Sequence, residues 1–485
     1  MNDASADAPS SGNFRGPRRL WAYGLGMLLP AGYLAWRYPL WPHADQLTDL
    51  GRLSNYAVAP FIAWAASVAI FFLLYLLAIR ECQRVAPDKA WRPIFVCGAL
   101  LAGTMAMVYP FNAIDIFIYA VRSRLFTEYG ENPIAVEPIS HRDDPWLPFA
   151  SLQWADDVSP YGPLWNWIAA PATLLSGEKI EVAVVVYKLL AAVCALIGAL
   201  IAGRAVGAVR PDLAPTASLI YLWSPLVLYE GVANGHNDVV LAEPLLLAIF
   251  FWQQQRDAWV IPALVASVWI KYVTILLLPL AAVAIWRRSS PAARPGLIAK
   301  TTIASVVVTL ASFAPFFDPS AVWESIDRQS SIVMTSPTAL AVELMQPAYT
   351  YDQIVGWARW VGIGVVGVAL AFGAVATWRE FERFPRAGFE VLFVYLLVAA
   401  LTFRSWYVIW IVALAAVLPL GWPFWRATSW SFGAVAAYGL FIWGWEWWKV
   451  DYSTLLRPGI AILFGPPLLA TIAEVVVRAK RRRGA

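Results

Sequence analysis

The sequence predicts an all-α, polytopic transmembrane helical bundle, and three observations predict it. Hydrophobic residues occupy 60% of the 485 positions. Charged residues occupy 14%, well under the about 25% of an ordinary soluble domain. The apolar residues also gather in runs near the ~20 residues a helix needs to cross a bilayer. A soluble chain of this length needs far more polar surface, so a soluble enzyme is excluded, and nucleic acid is not an expected partner. The 27 Trp suit membrane interfaces, and their faces also suit sugar rings.

The candidate spans, in order, are 20–40, 55–79, 93–110, 182–203, 213–229, 239–254, 259–270, 272–286, 298–316, 353–377, 389–403, 405–421, 429–447 and 457–477. About 12–14 membrane helices are therefore expected. The stretch 259–286 is too long for one crossing and short for two. It reads as a tight hairpin turning near Lys271. The stretch 160–176 is interrupted by Pro160, Pro163 and Pro171, and reads as juxtamembrane or re-entrant.

Basic residues set the orientation, because they collect in cytoplasmic loops. With the N-terminus inside, Arg15, Arg18, Arg19, Arg80, Arg84, Arg287, Arg288 and the tail "RAKRRRGA" all fall on the cytoplasmic side. Residues 1–19 then form a cytoplasmic tail, 20–477 a single membrane domain, and 478–485 a basic cytoplasmic tail. The first span lacks a small-residue cleavage site and reads as an uncleaved signal anchor. Cys82, Cys97 and Cys194 show no CxxC pattern and no disulfide framework. No linker, low-complexity tract or internal repeat stands out.

This threading puts the long connections 111–181 and 317–352 outside, together with 229–238. Loops of such length are unusual unless they work, and juxtamembrane helices are expected in the first. The polar chemistry falls on that one face. In "YPFNAIDIFIYAVRSRLF", Asp115 and Tyr119 are four apart and share a helix face. Asp115 reads as a helix-start residue or as a general base beside apolar neighbours. "SPYGPLWNW" fixes a rigid turn and offers Tyr161, Trp165 and Trp167. In "YEGVANGHND", Asn237 or Asp238 can cap the next helix. His236 sits at that helix mouth, where a donor and a positive helix end can meet an anion. Lys271, inside "SVWIKYVTILLLPL", reads as a lipid-phosphate ligand or as a snorkelling residue. Lys188 and Glu243 raise the same question. In "FRSWYVIW", Arg404 reads as a second phosphate ligand or an interfacial anchor. Asp115 with Asp156 or Asp157 could hold a divalent ion, but their spacing does not demand one, so no cofactor is expected.

Taken together these stretches resemble the GT-C superfamily of polytopic glycosyltransferases, nearest to bacterial polyprenyl-phosphate-mannose-dependent α-mannosyltransferases. Asp115 and Tyr119 match an Asp-x-x-x-Tyr element of the first large outer loop. "GENPI" is similar to Gly-x-Asn-Pro-Tyr, with Ile134 in place of Tyr. "SPYGPLW", "GHND" and "WIKYVTILLLPL" resemble further elements, and "SWYVIW" resembles Pro-Trp-Tyr-x-x-Trp with Ser405 in place of Pro. The likeness runs over roughly 95–420. It implies inverting transfer of a hexose, mannose by the nearest likeness, from a polyprenyl-phosphate donor to a hydroxyl of a glycan or glycolipid on the extracytoplasmic face of a bacterial cell membrane. Asp115 would be the base, and His236, Lys271 and Arg404 would face the donor phosphate. Tyr119, Tyr161, Asn237, Asp238, Trp406 and Tyr407 would position substrate. The alternative is a transporter or flippase of lipid-linked sugars. Such proteins show internal repeats and mid-membrane polar groups, whereas the polar residues here crowd one face.

Overall fold

A computed structural model describes residues 15–112, 114–418 and 420–483, without the side chains of Leu152, Gln153, Arg482 and Arg483. The start of the expected N-terminal tail and the last two residues lie outside the described residues. Among those described, the chain is helical throughout, with isolated bridges and no strand. Five helices are long and apolar enough to cross a membrane in one piece: Val58–Cys82, Ile180–Gly207, Arg294–Phe313, Tyr351–Arg379 and Tyr452–Arg481.

Arg18–Arg37 and Pro87–Ala106 are also 20 residues long; the remaining predicted spans are shorter or interrupted, and the interruptions have local causes. The stretch 213–229 begins as Ala214–Leu222, breaks at Ser224 before Pro225, and rewinds as a π-helix over Val227–Ala233. A residue before proline is pushed out of the helical region, which places the break. The stretch 259–286 forms the expected hairpin. Val260–Val268 runs to an extended Lys271, and the chain returns through Tyr272–Leu277 and Leu278–Arg288. Its base is pinned where Arg288 donates to Asp257 Oδ2 at 3.0 Å and to the Trp252 carbonyl at 2.9 Å. The stretch 160–176 is a 14-residue helix, Pro163–Ser176. At about 21 Å it is too short to cross. Pro163 occupies its first turn, where no amide proton is needed.

Backbone hydrogen bonds tie the ends of several helices together. At one end Tyr109 N–H donates to Tyr38 O, Leu40 N–H to Met107 O, and Phe403 N–H to Met334 O. At the opposite end Arg15 N–H donates to Arg84 O, and Arg287 to Trp378 O. A single hydrophobic core runs through the bundle. The segment 214–242 is its centre, with nearly every side chain buried. Arg294–Phe313 and Tyr351–Arg379 lie at the periphery, with Ile303, Leu310, Trp360 and Phe372 exposed. Apolar exposure of that extent suits lipid, not water.

The two long loops close over one end. Loop 111–181 carries the helix Asp115–Thr127 and Pro163–Ser176. A buried ion pair pins it: Arg124 Nε donates to Asp144 Oδ2 at 2.9 Å, and the guanidinium lies over Trp146. Loop 317–352 carries Pro319–Ser331 and Pro337–Met345, each capped by an Asp or Ser side chain. It is tied to the first loop by Ser325 Oγ donating to Ser159 O and by the Arg328–Asp157 ion pair.

Candidate functional site

The site is built where three chain breaks meet beneath those loops. The first follows the π-helix Val227–Ala233, whose wide winding carries Asn234 N–H to Tyr229 O and His236 N–H to Glu230 O. Gly235 then turns with φ +73°. A Cβ there would lie 2.4 Å from Ile116 Cδ1, so glycine is needed for both the backbone and the approach. Gly235 thereby brings the residue next to Asp115 against the residue next to His236. The helix Asp238–Gln253 starts immediately afterwards. At 16 residues it extends about 24 Å, short of a ~30 Å hydrocarbon core.

The expected capping at this helix is corrected by the structure. Asn237 is the N-cap residue, but its side chain makes no cap hydrogen bond. Both side chains are drawn elsewhere. Asn237 Oδ1 accepts from the Tyr119 hydroxyl at 3.3 Å. Asp238 is fully buried and accepts from Lys271 Nζ at 2.9 and 3.0 Å, and from Trp410 Nε1 at 2.5 Å. Charge pairing outweighs capping because a buried carboxylate without a counter-ion costs several kcal/mol, about 3–5 when one partner is removed.

The hairpin tip supplies Lys271. Its ammonium also faces the rings of Tyr407 at 4.6 Å, Trp410 at 5.5 Å and Tyr161 at 5.6 Å. The "SPYGP" turn docks on the same tip. Gly162 N–H donates to Ile270 O at 3.1 Å and Leu164 N–H to Trp269 O at 2.9 Å. These carbonyls are left free where the helix ends at Val268. A Cβ on Gly162 would lie 2.2 Å from Trp269 O, so only glycine allows the approach. Tyr161 thus reaches Tyr119, edge to face at 5.3 Å.

The third break precedes Arg404. A π-helix, Tyr395–Ala399, ends at an extended Ala400, and residues 405–407 form a short turn before Val408–Ala416. Trp406 stacks on the buried His236, centroids 3.7 Å apart and 17° between planes. The Arg404 guanidinium lies 5.6 Å from the Trp406 ring. Among the described residues no carboxylate pairs with it.

Asp115 opens the helix Asp115–Thr127 and is half-buried. It makes no hydrogen bond or ion pair among the described residues. Its charge is felt at Tyr119, Tyr161 and Tyr407. Burial, and next to it the Asp115 carboxylate, hold the Tyr161 phenol well above its ordinary range. For Tyr119 burial leads again, with Tyr161, Asp115 and Asp238 following. Both phenols are therefore neutral donors, fit for sugar or phosphate oxygens rather than for acid–base work.

Asp115, Tyr119, Tyr161, His236, Asn237, Asp238, Lys271, Arg404, Trp406 and Tyr407 thus fall in one neighbourhood. Two of them differ from expectation in their surroundings. Lys271 carries its own counter-ion, so it brings little net charge to a phosphate, and Asp238 is that counter-ion. Asp157 is held by Arg328, and no group of three metal-type ligands converges among the described residues. Glu243 sits apart from the cluster, and Lys188 is tied to its edge. Lys188 donates to Ala233 O, and the Glu243 carboxylate is buried without a hydrogen-bond partner among the described residues.

Sequence reasoning missed Glu230 and Trp410. Trp410 is the last Trp of "SWYVIW", and its position one turn after Trp406 placed it on the same face. Glu230 sits in the quoted stretch, but helical spacing does not bring it near His236. The π-winding does, setting Glu230 Oε2 3.4 Å from His236 Nε2.

Comparison with known proteins identifies relatives of the chain. An Alpha-(1->6)-mannopyranosyltransferase A of Mycobacterium tuberculosis is 25% identical over 327 residues, 63% of this chain and 61% of that protein. A protein of the same name from Corynebacterium glutamicum is 22% identical over 174 residues, 35% and 34% of the two chains. The chain therefore spans less than two thirds of these relatives' length. Residues 25–287 match the family described as Alpha-(1->6)-mannopyranosyltransferase, N-terminal domain. That match holds Asp115, Tyr119, Tyr161, the "GHND" turn and Lys271 and covers more than half of the sequence, so this chain belongs to that family.

Proposed function

We propose that the chain is a membrane mannosyltransferase. It moves mannose from a polyprenyl-phosphate donor to a hydroxyl of a glycan or glycolipid, with inversion, on the extracytoplasmic face of a bacterial cell membrane. Both termini are then cytoplasmic. The relatives' names support mannose and an α-(1→6) linkage. An inverting transfer that makes an α bond takes a β-linked donor. The single observation that carries the reading is an unpaired carboxylate, Asp115, at the edge of a buried aromatic and cationic cluster among apolar helices.

The chemistry follows from that placement. A phosphate is a good leaving group, so the hard step is activation of the acceptor hydroxyl. A carboxylate opposite the departing group deprotonates it. Asp115 makes no ion pair or hydrogen bond among the described residues, so its oxygens are open to take a proton. Arg404 and His236 meet the charge that grows on the phosphate. Lys271, already neutralised by Asp238, adds a hydrogen-bond donor. Tyr119, Tyr161, Asn237, Asp238, Trp406 and Tyr407 hold sugar hydroxyls and ring faces. These protein groups suffice without a divalent metal. The recessed helix start lets the prenyl tail remain in lipid while the headgroup enters.

The test is transfer of radiolabelled sugar by the purified protein from polyprenyl-phosphate-mannose, -glucose and -arabinose to a synthetic octyl α-mannoside. Mannose alone should be transferred, to the 6-hydroxyl. Equal use of all three donors, or transport of the donor across liposomes without transfer, would overturn the reading.

A further inference from the structure

Glu230 is a second buried acid in the cluster. It is fully buried, and its Oε2 accepts from Asn234 Nδ2 at 2.8 Å. The same oxygen lies 3.4 Å from His236 Nε2, while Oε1 has no hydrogen-bond partner among the described residues. His236 is equally buried. Trp406 covers one face of its ring, and neither ring nitrogen makes an aligned hydrogen bond. Of the charged groups around the pair, Lys188 and Asp238 are committed, while Arg404 has no ion-pair partner among the described residues. Lys188, on Ile180–Gly207, is bonded to Ala233 O. Asp238 is paired with Lys271. Tyr438 lies within electrostatic reach of both Glu230 and Arg404, and Tyr229 within reach of Glu230. The imidazole is thus the nearest base to an otherwise unmatched carboxylate.

We propose that Glu230 is the positioning residue of His236, holding a proton on Nε2 so that the ring meets the donor phosphate as an imidazolium through Nδ1–H. This rests on the functional reading above. A buried carboxylate beside a histidine favours the charged ring, and the bond at one nitrogen fixes the role of the other. At 3.4 Å the contact is longer than an ideal hydrogen bond, and catalytic hydrogen bonds of this kind tighten in substrate complexes. In the reaction the bond from sugar C1 to the phosphate oxygen breaks and its electron pair stays on phosphate. The acceptor oxygen forms the new bond to C1, and its proton passes to the Asp115 carboxylate. Nδ1–H hydrogen-bonds the phosphate throughout and leaves no proton behind.

The experiment compares wild type, Glu230→Gln, His236→Ala and the double variant. Two readouts are used: mannosyl transfer, and binding of decaprenyl phosphate followed by thermal shift across pH. Gln keeps the shape and the contact to Asn234, and melting without ligand reports folding. Glu230→Gln should lower kcat about tenfold, and the double variant should fall no further than His236→Ala. Such coupling lies in the range for contacting residues. In Glu230→Gln the alkaline limb of kcat/KM, and of phosphate binding, should move to lower pH. Multiplicative losses with an unmoved alkaline limb would overturn the proposal. The binding arm stands without catalysis. Coupled phosphate binding in a protein that transfers nothing would therefore uphold the pair and defeat the transferase reading.

Discussion

Two buried charge clusters sit at opposite ends of this bundle, and they are built differently. At the end away from the site, Glu474 is 2% exposed and accepts from Arg386, Arg426 and Arg478. Glu390 meets Arg386 and Arg426 there as well. Each carboxylate has more than one cation. At the site, only Asp238 is saturated. Among the described residues Asp115 and Arg404 have no ion pair, and Glu230 Oε1, His236 Nδ1 and Asn237 Nδ2 have no hydrogen-bond partner. Leaving a buried polar atom unpaired costs about 1–3 kcal/mol. A chain that surrounds Glu474 with three guanidiniums can evidently satisfy its buried charges. Unpaired charged groups that converge on one another, as they do at the site, are the ones the proposed donor would complete.

The contrast breaks most sharply at Asp115. Asp115→Asn should lower transfer at least a hundredfold, the range for losing a general base. Its melting temperature should stay near that of wild type, because the carboxylate has no partner to lose. Retained activity would remove Asp115 from its role. Arg404→Gln comes next. It removes a charge-assisted contact of about 2 kcal/mol, roughly thirtyfold in kcat/KM for the donor. An unchanged kcat/KM would make Arg404 an interfacial anchor. Gly235→Ala should be milder, losing transfer about five- to tenfold through ~1–1.5 kcal/mol of strain. Adding Ile116→Val removes the Cδ1 that the new methyl would strike and should restore part of the loss. Absence of rescue would mean that backbone strain at φ +73° dominates.

The site was legible in the sequence because its residues are of rare kinds set into apolar runs. Asp115, His236, Lys271 and Arg404 stand out there without any knowledge of their contacts. The hairpin at Lys271 was legible too, because 259–286 has the wrong length for any other path. What was not legible depends on winding. Helical spacing separates Glu230 from His236, and only the π-turn over Val227–Ala233 closes that gap. Capping propensity assigned Asn237 and Asp238 to the helix start, whereas tertiary partners 33 residues or more away claimed both. The pairing of Lys271 with Asp238 could not be inferred either, since it joins two helices whose register no local pattern specifies.

The smallest expected effect on activity belongs to the saturated cluster, and it can sink the comparison. Glu474→Gln removes the acid that three arginines share. Arg386 and Arg478 are exposed enough to turn to water, and Arg426 keeps Glu390. The loss is therefore below the 3–5 kcal/mol of an abandoned buried charge, about 2 kcal/mol. It should appear as a lower melting temperature. Transfer per folded molecule, with its KM for donor, should match wild type, because every carboxylate in this cluster is already paired with arginine. A large fall in kcat at constant fold would mean that the two ends are coupled. Saturation would then be no guide to which charges serve chemistry and which serve packing.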